Sequence, residues 1–233
     1  MKDGQLRADS ASSARADAKQ ITMDWLEPRM FLSVAPIPVV QNGILKIWGT
    51  PGDDTITVQT AGFDTMTGGP TEYDVVVDGV TTTFPYAGIR GVRVHAGAGN
   101  DSIDLYIEAP NTVPGSNGET VLLLPNTDQT VVMVPATVFG GRGDDSIIGS
   151  GAPCVLRGGP GNDTITGYGQ IYGGQGNDNI TVSAYNTSVN GGLGDDTIYN
   201  GTQPTDTVLG GGGNDTIEGS STPYNLPQTY YID

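Results

Sequence analysis

A glycine-rich hexapeptide that ends in aspartate, and is followed two residues later by an apolar residue, recurs seven times in this 233-residue chain. Five regular copies occupy residues 140–147, 158–165, 173–180, 191–198 and 210–217. Two weaker copies occupy residues 49–56 and 96–103. Repetition at this density is not chance, and it predicts a fold built from stacked, nearly identical turns.

The spacing of the aspartates indicates how these turns stack. In the regular copies they lie 18, 15, 18 and 19 residues apart, about twice a nine-residue unit. One coil of a flattened helix therefore carries one intact turn and one degenerate turn at the opposite edge. On a strand, position eight points to the same side as the aspartate at position six. The predicted inward stack consists of Ile56, Ile103, Ile147, Ile165, Ile180, Ile198 and Ile217.

The hexapeptide, Gly-Gly-x-Gly-Asn/Asp-Asp, resembles the RTX (hemolysin-type) calcium-binding repeat. The resemblance implies an all-β, right-handed parallel β-roll or β-helix solenoid with Ca²⁺ in the GGxGxD turns. One turn has too few oxygens for Ca²⁺, which takes six to eight, so each ion is expected between successive turns. The implied carboxylate ligands are Asp145, Asp163, Asp178, Asp196 and Asp215, with Asp54 and Asp101 as weaker candidates. The implied glycine ligands are Gly141, Gly143, Gly159, Gly161, Gly174, Gly176, Gly192, Gly194, Gly211 and Gly213.

The extent of the predicted calcium ladder follows from where regular hexapeptides occur. Better-known RTX rolls bind calcium at both edges, whereas regular copies occur here once per coil. We therefore expect a one-sided ladder of about four ions between five turns. The weaker turns are separated from their successors by 47 and 44 residues. That spacing predicts that the turns ending at Asp54 and Asp101 are isolated.

Composition limits the classes of function. The formal charge of −16 arises in residues 34–233, which contain five basic and 21 acidic residues. The absence of a basic patch in the sequence argues against a nucleic-acid partner, and no stretch is long enough to predict membrane insertion. Cys154 is predicted to be a buried structural thiol, because nothing near it in sequence would lower its pKa. Few cysteines and many acids are typical of a secreted bacterial protein held by metal.

The sequence divides into four predicted segments. Residues 1–33 form a flexible leader, residues 34–135 degenerate β-helix-like coils, residues 136–219 the RTX roll, and residues 220–233 a tail. The leader contains Leu-Glu-Pro-Arg-Met-Phe-Leu at residues 26–32, which is similar to the LEPR-XLL segment of large bacterial surface proteins. Residues 34–135 are either coils continuous with the roll, which we favour, or a separate small β-sandwich. Asp78-Gly79 between β-branched runs predicts a hairpin turn.

The favoured function is a non-enzymatic, extracellular calcium-binding repeat protein in which Ca²⁺ drives folding, with a structural or surface-associated role. Its predicted partners are calcium ions and a cell-surface polysaccharide or protein. The alternatives are an adhesin, or a polysaccharide-active β-helix enzyme of the lyase or epimerase type. The enzyme alternative would depend on Arg90, Arg93 and His95. A single histidine excludes an HExxH zinc site.

Overall fold

The computed structural model of the protein describes residues 37–63, 69–107, 112–114, 120–122, 134–200, 206–219 and 229–231. The chain divides into two units, Met1–Leu32 and Ser33–Asp233, and all described residues belong to the second. The LEPR-like segment lies outside the described residues.

Two 9-stranded sheets and one 2-stranded sheet are formed by the described residues. The first sheet contains, in order, β1 (Val39–Gln41), β2 (Ile44–Trp48), β6 (Gly91–Ala98), β10 (Ala136–Arg142), β12 (Cys154–Pro160), β14 (Gly169–Gln175), β16 (Ser188–Leu193), β18 (Thr207–Gly212) and β20 (Thr229–Tyr231). The second contains, in order, β19 (Thr216–Gly219), β17 (Thr197–Asn200), β15 (Asn179–Val182), β13 (Thr164–Gly167), β11 (Ser146–Ser150), β7 (Ser102–Tyr106), β3 (Thr55–Phe63), β4 (Pro70–Val77) and β5 (Val80–Pro85). The small sheet pairs β8 (Thr112–Pro114) with β9 (Thr120–Leu122).

Successive coils stack in parallel because the chain alternates between the two sheets. Each coil uses one strand of the first sheet, crosses a glycine-rich turn, and enters one strand of the second sheet. Strands of neighbouring coils then pair in parallel register, as Ile147 does with Ile165 and Val138 with Leu156. This is the predicted all-β parallel β-roll, in which each coil contacts only its neighbours.

The core consists of two facing rows of aliphatic side chains. The second sheet supplies the predicted isoleucine stack, which is paired in register from Ile56 to Ile217. Its first six members are no more than 1% exposed, whereas Ile217 in the last coil is only partly buried. The first sheet supplies the opposite row, namely Ile47, Val94, Val138, Leu156, Ile171, Val189 and Val208. In the N-terminal coils a second buried row lies beside each of these, with Leu45 and Val92 in the first sheet and Val58 and Leu105 in the second.

The N-terminal coils also contain antiparallel strand pairs. Two hairpins turn through Asn42-Gly43 and Asp78-Gly79, where all four residues have φ between 49° and 78°, as a two-residue type I′ turn requires. The hairpin at Asp78-Gly79 is thus confirmed. Strands β4 and β5 extend the second sheet beyond β3 and bury Tyr73 and Val75 completely.

The N-terminal coils are continuous with the regular ones. Strand β6 pairs with β10 and β7 pairs with β11, both in parallel, across residue 135. The described residues therefore have the continuous arrangement and not a separate sandwich. Between β3 and β6 the extra residues include the β4–β5 hairpin, which extends the second sheet. Such insertions cost little extra entropy, since loop closure grows only logarithmically with length. Residue 135 as a domain boundary stays a prediction.

Candidate metal site

Seven glycine-rich turns stack along one edge of the solenoid. They connect β2 to β3, β6 to β7, β10 to β11, β12 to β13, β14 to β15, β16 to β17 and β18 to β19. In the last six turns the second and fourth positions are glycines with φ between 115° and 148°, where other residues are strained. A Cβ at either position would also collide with a backbone carbonyl of the preceding coil, as Gly159 would with Gly141. The turns therefore stack closely enough that only glycine fits.

The sixth-position aspartates form a continuous hydrogen-bonded ladder. The Oδ1 atom of each accepts the backbone N–H of the sixth-position aspartate in the preceding coil. The N···O distances are 2.8 or 2.9 Å at all six steps from Asp54 to Asp215. One step is the bond from the Asp145 N–H to Asp163 Oδ1. Each aspartate is thereby fixed against the coil before it.

A second ladder runs in the opposite direction along the exposed fifth positions. Here each Oδ1 accepts the backbone N–H of the following coil, for example from Asn162 to Asp144 and from Asn214 to Asp195. The complete set of acceptors is Asp53, Asn100, Asp144, Asn162, Asn177 and Asp195. An amide oxygen serves as well as a carboxylate oxygen in this role. The ladder therefore explains why Asn and Asp interchange at this position.

The second carboxylate oxygens of the sixth-position aspartates lack partners. Buried Oδ2 atoms without a hydrogen bond belong to Asp101, Asp145, Asp163, Asp178, Asp196 and Asp215. A buried acceptor left unpaired costs about 1–3 kcal/mol, and a charged one more. A row of six such atoms at the same place in consecutive coils is a regular feature of the fold that requires a counter-charge or protons.

Burial changes the acidity of these groups. Desolvation is the main cause that raises the pKa of Asp101, Asp145 and Asp163 to about 6, and of Asp178 to about 7. Neighbouring carboxylates raise these pKa values further, whereas the backbone hydrogen bond to each Oδ1 lowers them. Desolvation also raises the pKa of Asp54 and Asp196. The ladder therefore favours protons or a bound cation over bare carboxylates.

The first glycine of each regular turn leaves a small cradle next to these oxygens. A Cβ built on Gly140 would meet Asp145 Oδ2 and, at 2.9 Å, the carbonyl oxygen of Gly158 in the next coil. The same pairing of an unpartnered Oδ2 with the next carbonyl recurs at Gly158, Gly173 and Gly191. At Gly210, in the last regular turn, only Asp215 lies nearby. Four complete cradles therefore lie between the five regular turns.

The donor set of these cradles fits Ca²⁺. They offer carboxylate and carbonyl oxygens contributed by two adjacent coils, and Ca²⁺ takes only hard oxygen ligands in a flexible geometry. Among the described residues, no group of three or more His, Cys, Asp and Glu side chains converges as a metal cluster. A site in this ladder must therefore draw on backbone oxygens as well as carboxylates.

Comparison with known families agrees with this geometry. The model of the RTX calcium-binding nonapeptide repeat matches the chain in four copies, at residues 137–152, 155–170, 172–203 and 205–221. Residues 137–221 thus carry RTX calcium-binding repeats. The repeat family binds Ca²⁺, and all five regular turns lie within the matched residues. The chain matches no curated protein and no solved structure.

The two turns that precede the RTX repeats stack on them directly. Asp101 Oδ1 accepts from Asp54, and the Asp101 N–H donates to Asp145 Oδ1. The expectation that these turns are isolated is therefore wrong. Sequence distance misled it, because β3 pairs with β7 and β7 with β11 in parallel register although their aspartates lie 47 and 44 residues apart in sequence.

These two turns nevertheless differ from the RTX repeats in their cradles. In the first, Asp54 Oδ2 is already bonded by the backbone N–H of Thr50 at 2.6 Å and by its hydroxyl at 3.2 Å. In the second, the first position is Ala96, which is fully buried and lies at the level of Gly140 in the strand register. A methyl group therefore occupies the point that glycine leaves open in the RTX repeats.

Sequence reasoning missed two features of the site. The first glycines, such as Gly158, border the cradles and were not among the candidate site residues, whereas the ligand roles of the second and fourth glycines stay a prediction. Sequence reasoning also overlooked Asp206 at the opposite edge, which is 4% exposed. Asp206 Oδ1 accepts the Thr187 N–H at 2.8 Å, and its Oδ2 is unpartnered. The signal was present, because Asp206 lies nine residues before Asp215.

The remaining candidates of the sequence lie away from the RTX turns. Cys154 is buried, and burial raises the pKa of its thiol to about 11, as expected for a structural cysteine. His95 stacks on Phe139 with ring centroids 4.5 Å apart. Burial is the main cause that lowers the pKa of His95, followed by the charges of Arg93 and Lys46. The Arg90 guanidinium donates to the Asn42 carbonyl at 3.2 Å.

Proposed function

We propose that this protein is a non-enzymatic, extracellular repeat protein whose regular coils fold when they bind Ca²⁺. The observation that carries the proposal is the row of buried Oδ2 atoms without partners, each beside a glycine cradle. Bare carboxylates in that row repel one another and are poorly solvated, so the metal-free fold is disfavoured. Ca²⁺ supplies the missing partner and couples its binding free energy to folding.

The proposed sites lie between the five regular turns. Asp145, Asp163, Asp178 and Asp196 each present Oδ2 to a cradle that the next coil closes with a glycine carbonyl. Asp215 closes the ladder, and its Oδ1 holds the N–H of Asp196 at 2.9 Å. The positive-φ glycines, among them Gly141 and Gly143, shape the turns and direct their carbonyls toward the next coil. Four ions is therefore the expected stoichiometry.

An extracellular role is consistent with this folding requirement. Extracellular calcium modules bind with dissociation constants of about 10⁻⁴ to 10⁻³ M, so a protein of this type stays unfolded where calcium is scarce. Among the described residues there is no helix long and apolar enough to cross a membrane. A structural role at the cell surface is the function that we favour, and the LEPR-like leader supports it at the level of sequence only.

A calcium titration of the full-length protein tests the proposal. Far-UV circular dichroism of the metal-free protein should lack much of its β signal and regain it at about 10⁻⁴ to 10⁻³ M Ca²⁺. Mg²⁺ should substitute poorly, because it demands strict octahedral geometry and releases its waters reluctantly. Native mass spectrometry should count four calcium ions. A protein that keeps its full β signal after complete calcium removal would contradict the proposal.

The enzyme alternative finds less support in the geometry. A lyase or epimerase of this type would require a basic residue beside carboxylates, yet the strand that carries Arg93 and His95 contains no acidic residue and neither do its sheet neighbours. The adjacent acids in the turns, such as Asp144 and Asp145, serve the two ladders instead. Binding of an anion by this basic region would not require such carboxylates.

A further inference from the structure

The five basic side chains within residues 34–233 all lie on or beside the first sheet. Lys46, Arg93 and Arg157 belong to β2, β6 and β12, Arg90 directly precedes β6, and Arg142 ends β10. The strands of the first sheet contain no Asp or Glu. Those of the second sheet contain no Lys or Arg, and they carry Glu72, Asp74, Asp104 and Glu218. A chain with a net charge of −16 thus presents one face whose only charges are positive.

These cations are not used to hold the fold together. Residues 34–233 contain 21 acidic side chains, yet within the described part of the chain none of the five cations forms an ion pair. Lys46 donates to Gln41 Oε1 at 2.5 Å, and Arg157 lies over the ring of Tyr172 at 4.3 Å. Both contacts hold the side chain in place without neutralising its charge. The positive charge therefore remains available to an external anion.

A row of mostly planar side chains includes Arg157 and lies next to Lys46 and Arg93. Strand register aligns, on the outer face of five consecutive coils, Trp48, His95, Phe139, Arg157 and Tyr172. The rings of His95 and Phe139 are nearly parallel, with an interplanar angle of 1°. Lys46 and Arg93 form the adjacent row on neighbouring strands. Stacking restricts the side chains, so the cations are presented on a flat and ordered surface.

We propose that the outer face of the first sheet, centred on Lys46, Arg93 and Arg157, binds a linear acidic polysaccharide through its carboxylates. Neighbouring strands lie about 4.8 Å apart, so Lys46 and Arg93 repeat along the solenoid axis at that spacing and Arg157 follows about 10 Å beyond Arg93. An extended polymer lying across the strands meets these cations in sequence.

Individual side chains of this face suit a carboxylated sugar chain. The guanidinium group of Arg157, held by Tyr172, suits bidentate carboxylate recognition. Thr137 lies outward on the strand between those of Arg93 and Arg157, Gln170 lies outward on the strand beyond Arg157, and both supply hydrogen bonds for hydroxyl groups. This binding role extends the proposed surface function and does not depend on the number of calcium ions.

A nucleic acid fits this face less well. Single-stranded nucleic acids bind by stacking their bases on open aromatic faces, but here His95, Phe139 and Tyr172 already stack on their neighbours. The net charge of −16 also opposes a polymer as densely charged as a nucleic acid. Spaced carboxylates on a hydroxyl-rich chain match the few separated cations better.

Binding of short oligogalacturonate to the full-length protein, at fixed calcium and low salt, tests the proposal. The wild type should bind it, and should not bind a neutral oligosaccharide of equal length. The variant Lys46→Gln/Arg93→Gln should lose about tenfold in affinity, and Arg157→Gln less, because the first removes two exposed charge pairs and the second only one. The control Thr164→Glu/Thr181→Glu makes the same change in net charge on exposed positions of the second sheet and should bind like the wild type.

Four outcomes would overturn the proposal. They are no binding by the wild type, equal losses in the two double variants, a wild-type affinity that does not fall with salt, and tighter binding of single-stranded DNA than of oligogalacturonate. Circular dichroism and a calcium count on each variant verify that it is folded and metal-bound. A failure of the polysaccharide proposal is thereby distinguished from a failure of the calcium proposal.

Discussion

The N-terminal coils and the RTX coils share one backbone arrangement but satisfy their aspartates differently. In the N-terminal coils Thr50 bonds the Asp54 carboxylate, the methyl group of Ala96 occupies the second cradle, and the β4–β5 hairpin adds buried side chains. In the RTX coils the cradles are open and the aliphatic core is narrower, since Gly149 stands in register with Leu105 and Gly169 with Cys154. The turn at Asp54 thus satisfies its carboxylate without a cation, whereas the RTX turns leave theirs unpaired beside an open cradle, and Asp101 leaves its Oδ2 unpaired beside a blocked one. The N-terminal coils are therefore expected to act as a preformed end on which the others stack.

Removal of calcium should separate the two regions most clearly. In hydrogen–deuterium exchange of the full chain, amides of residues 136–219 should lose most of their protection when calcium is chelated, because their buried carboxylates lose their partner. Amides of residues 44–58 and 91–105 should keep theirs. Equal loss of protection in both regions would show that the N-terminal coils are no more self-sufficient than the RTX coils.

Substitution of one ladder aspartate should have the next largest effect. Asp178→Ala removes the Oδ2 of a proposed calcium ligand and also the acceptor of the Asp163 N–H, so it should cost about 1–3 kcal/mol through that buried amide alone. Native mass spectrometry should show the loss of one or two calcium ions, since the turn borders two sites.

The matched control for this substitution is Asp195→Asn. It retains the oxygen that accepts the Asn214 N–H at 2.8 Å and should leave the calcium count unchanged. Calorimetric titrations that show equal losses for the two variants would refute the separate roles given to positions five and six.

Exchange of the cradle residues should convert one type of turn into the other. Gly158→Ala places a methyl group against Asp163 Oδ2 and the Gly173 carbonyl, which should remove one calcium ion. Ala96→Gly opens the cradle next to the unpartnered Oδ2 of Asp101 and should add one. Native mass spectrometry that finds four ions in both variants would locate the sites away from the first glycine.

The smallest expected effect is a dependence of the stability of the metal-free protein on pH. Burial raises the pKa of Asp145 and Asp163 to about 6 and of Asp178 to about 7. A raised carboxyl pKa stabilises the fold at low pH, and this stability is lost as the pH rises through the folded-state pKa. The urea midpoint of calcium-stripped protein should therefore be higher at about pH 5 than at about pH 8. A midpoint that rises with pH over this range would contradict these shifts.

The sequence predicted the repeating parts of the molecule because their signals are local. Isoleucine at position eight and glycine in the turns determine strand direction and register, and both were correctly assigned from Ile56 to Ile217. The stacking of Asp101 on Asp145 was not predictable from spacing, since a chain segment of any length can leave a coil and return to it. The roles of Thr50 and Ala96 also depend on which atoms meet across neighbouring coils. The grouping of Lys46, Arg93 and Arg157 required the strand register, which composition does not contain.

The two ladders that run in opposite directions make every coil boundary in the turn region equivalent. Each coil presents a fifth-position acceptor to the coil after it and a sixth-position acceptor to the coil before it. Any stretch from one sixth-position aspartate to the next is therefore an interchangeable module. Removal of residues 164–178, for instance, would join Asp163 to β15 and leave matching connectors on both sides. The length of the solenoid therefore changes by about 4.8 Å for each coil that is added or removed, while the hydrogen bonds between the turns keep the same pattern.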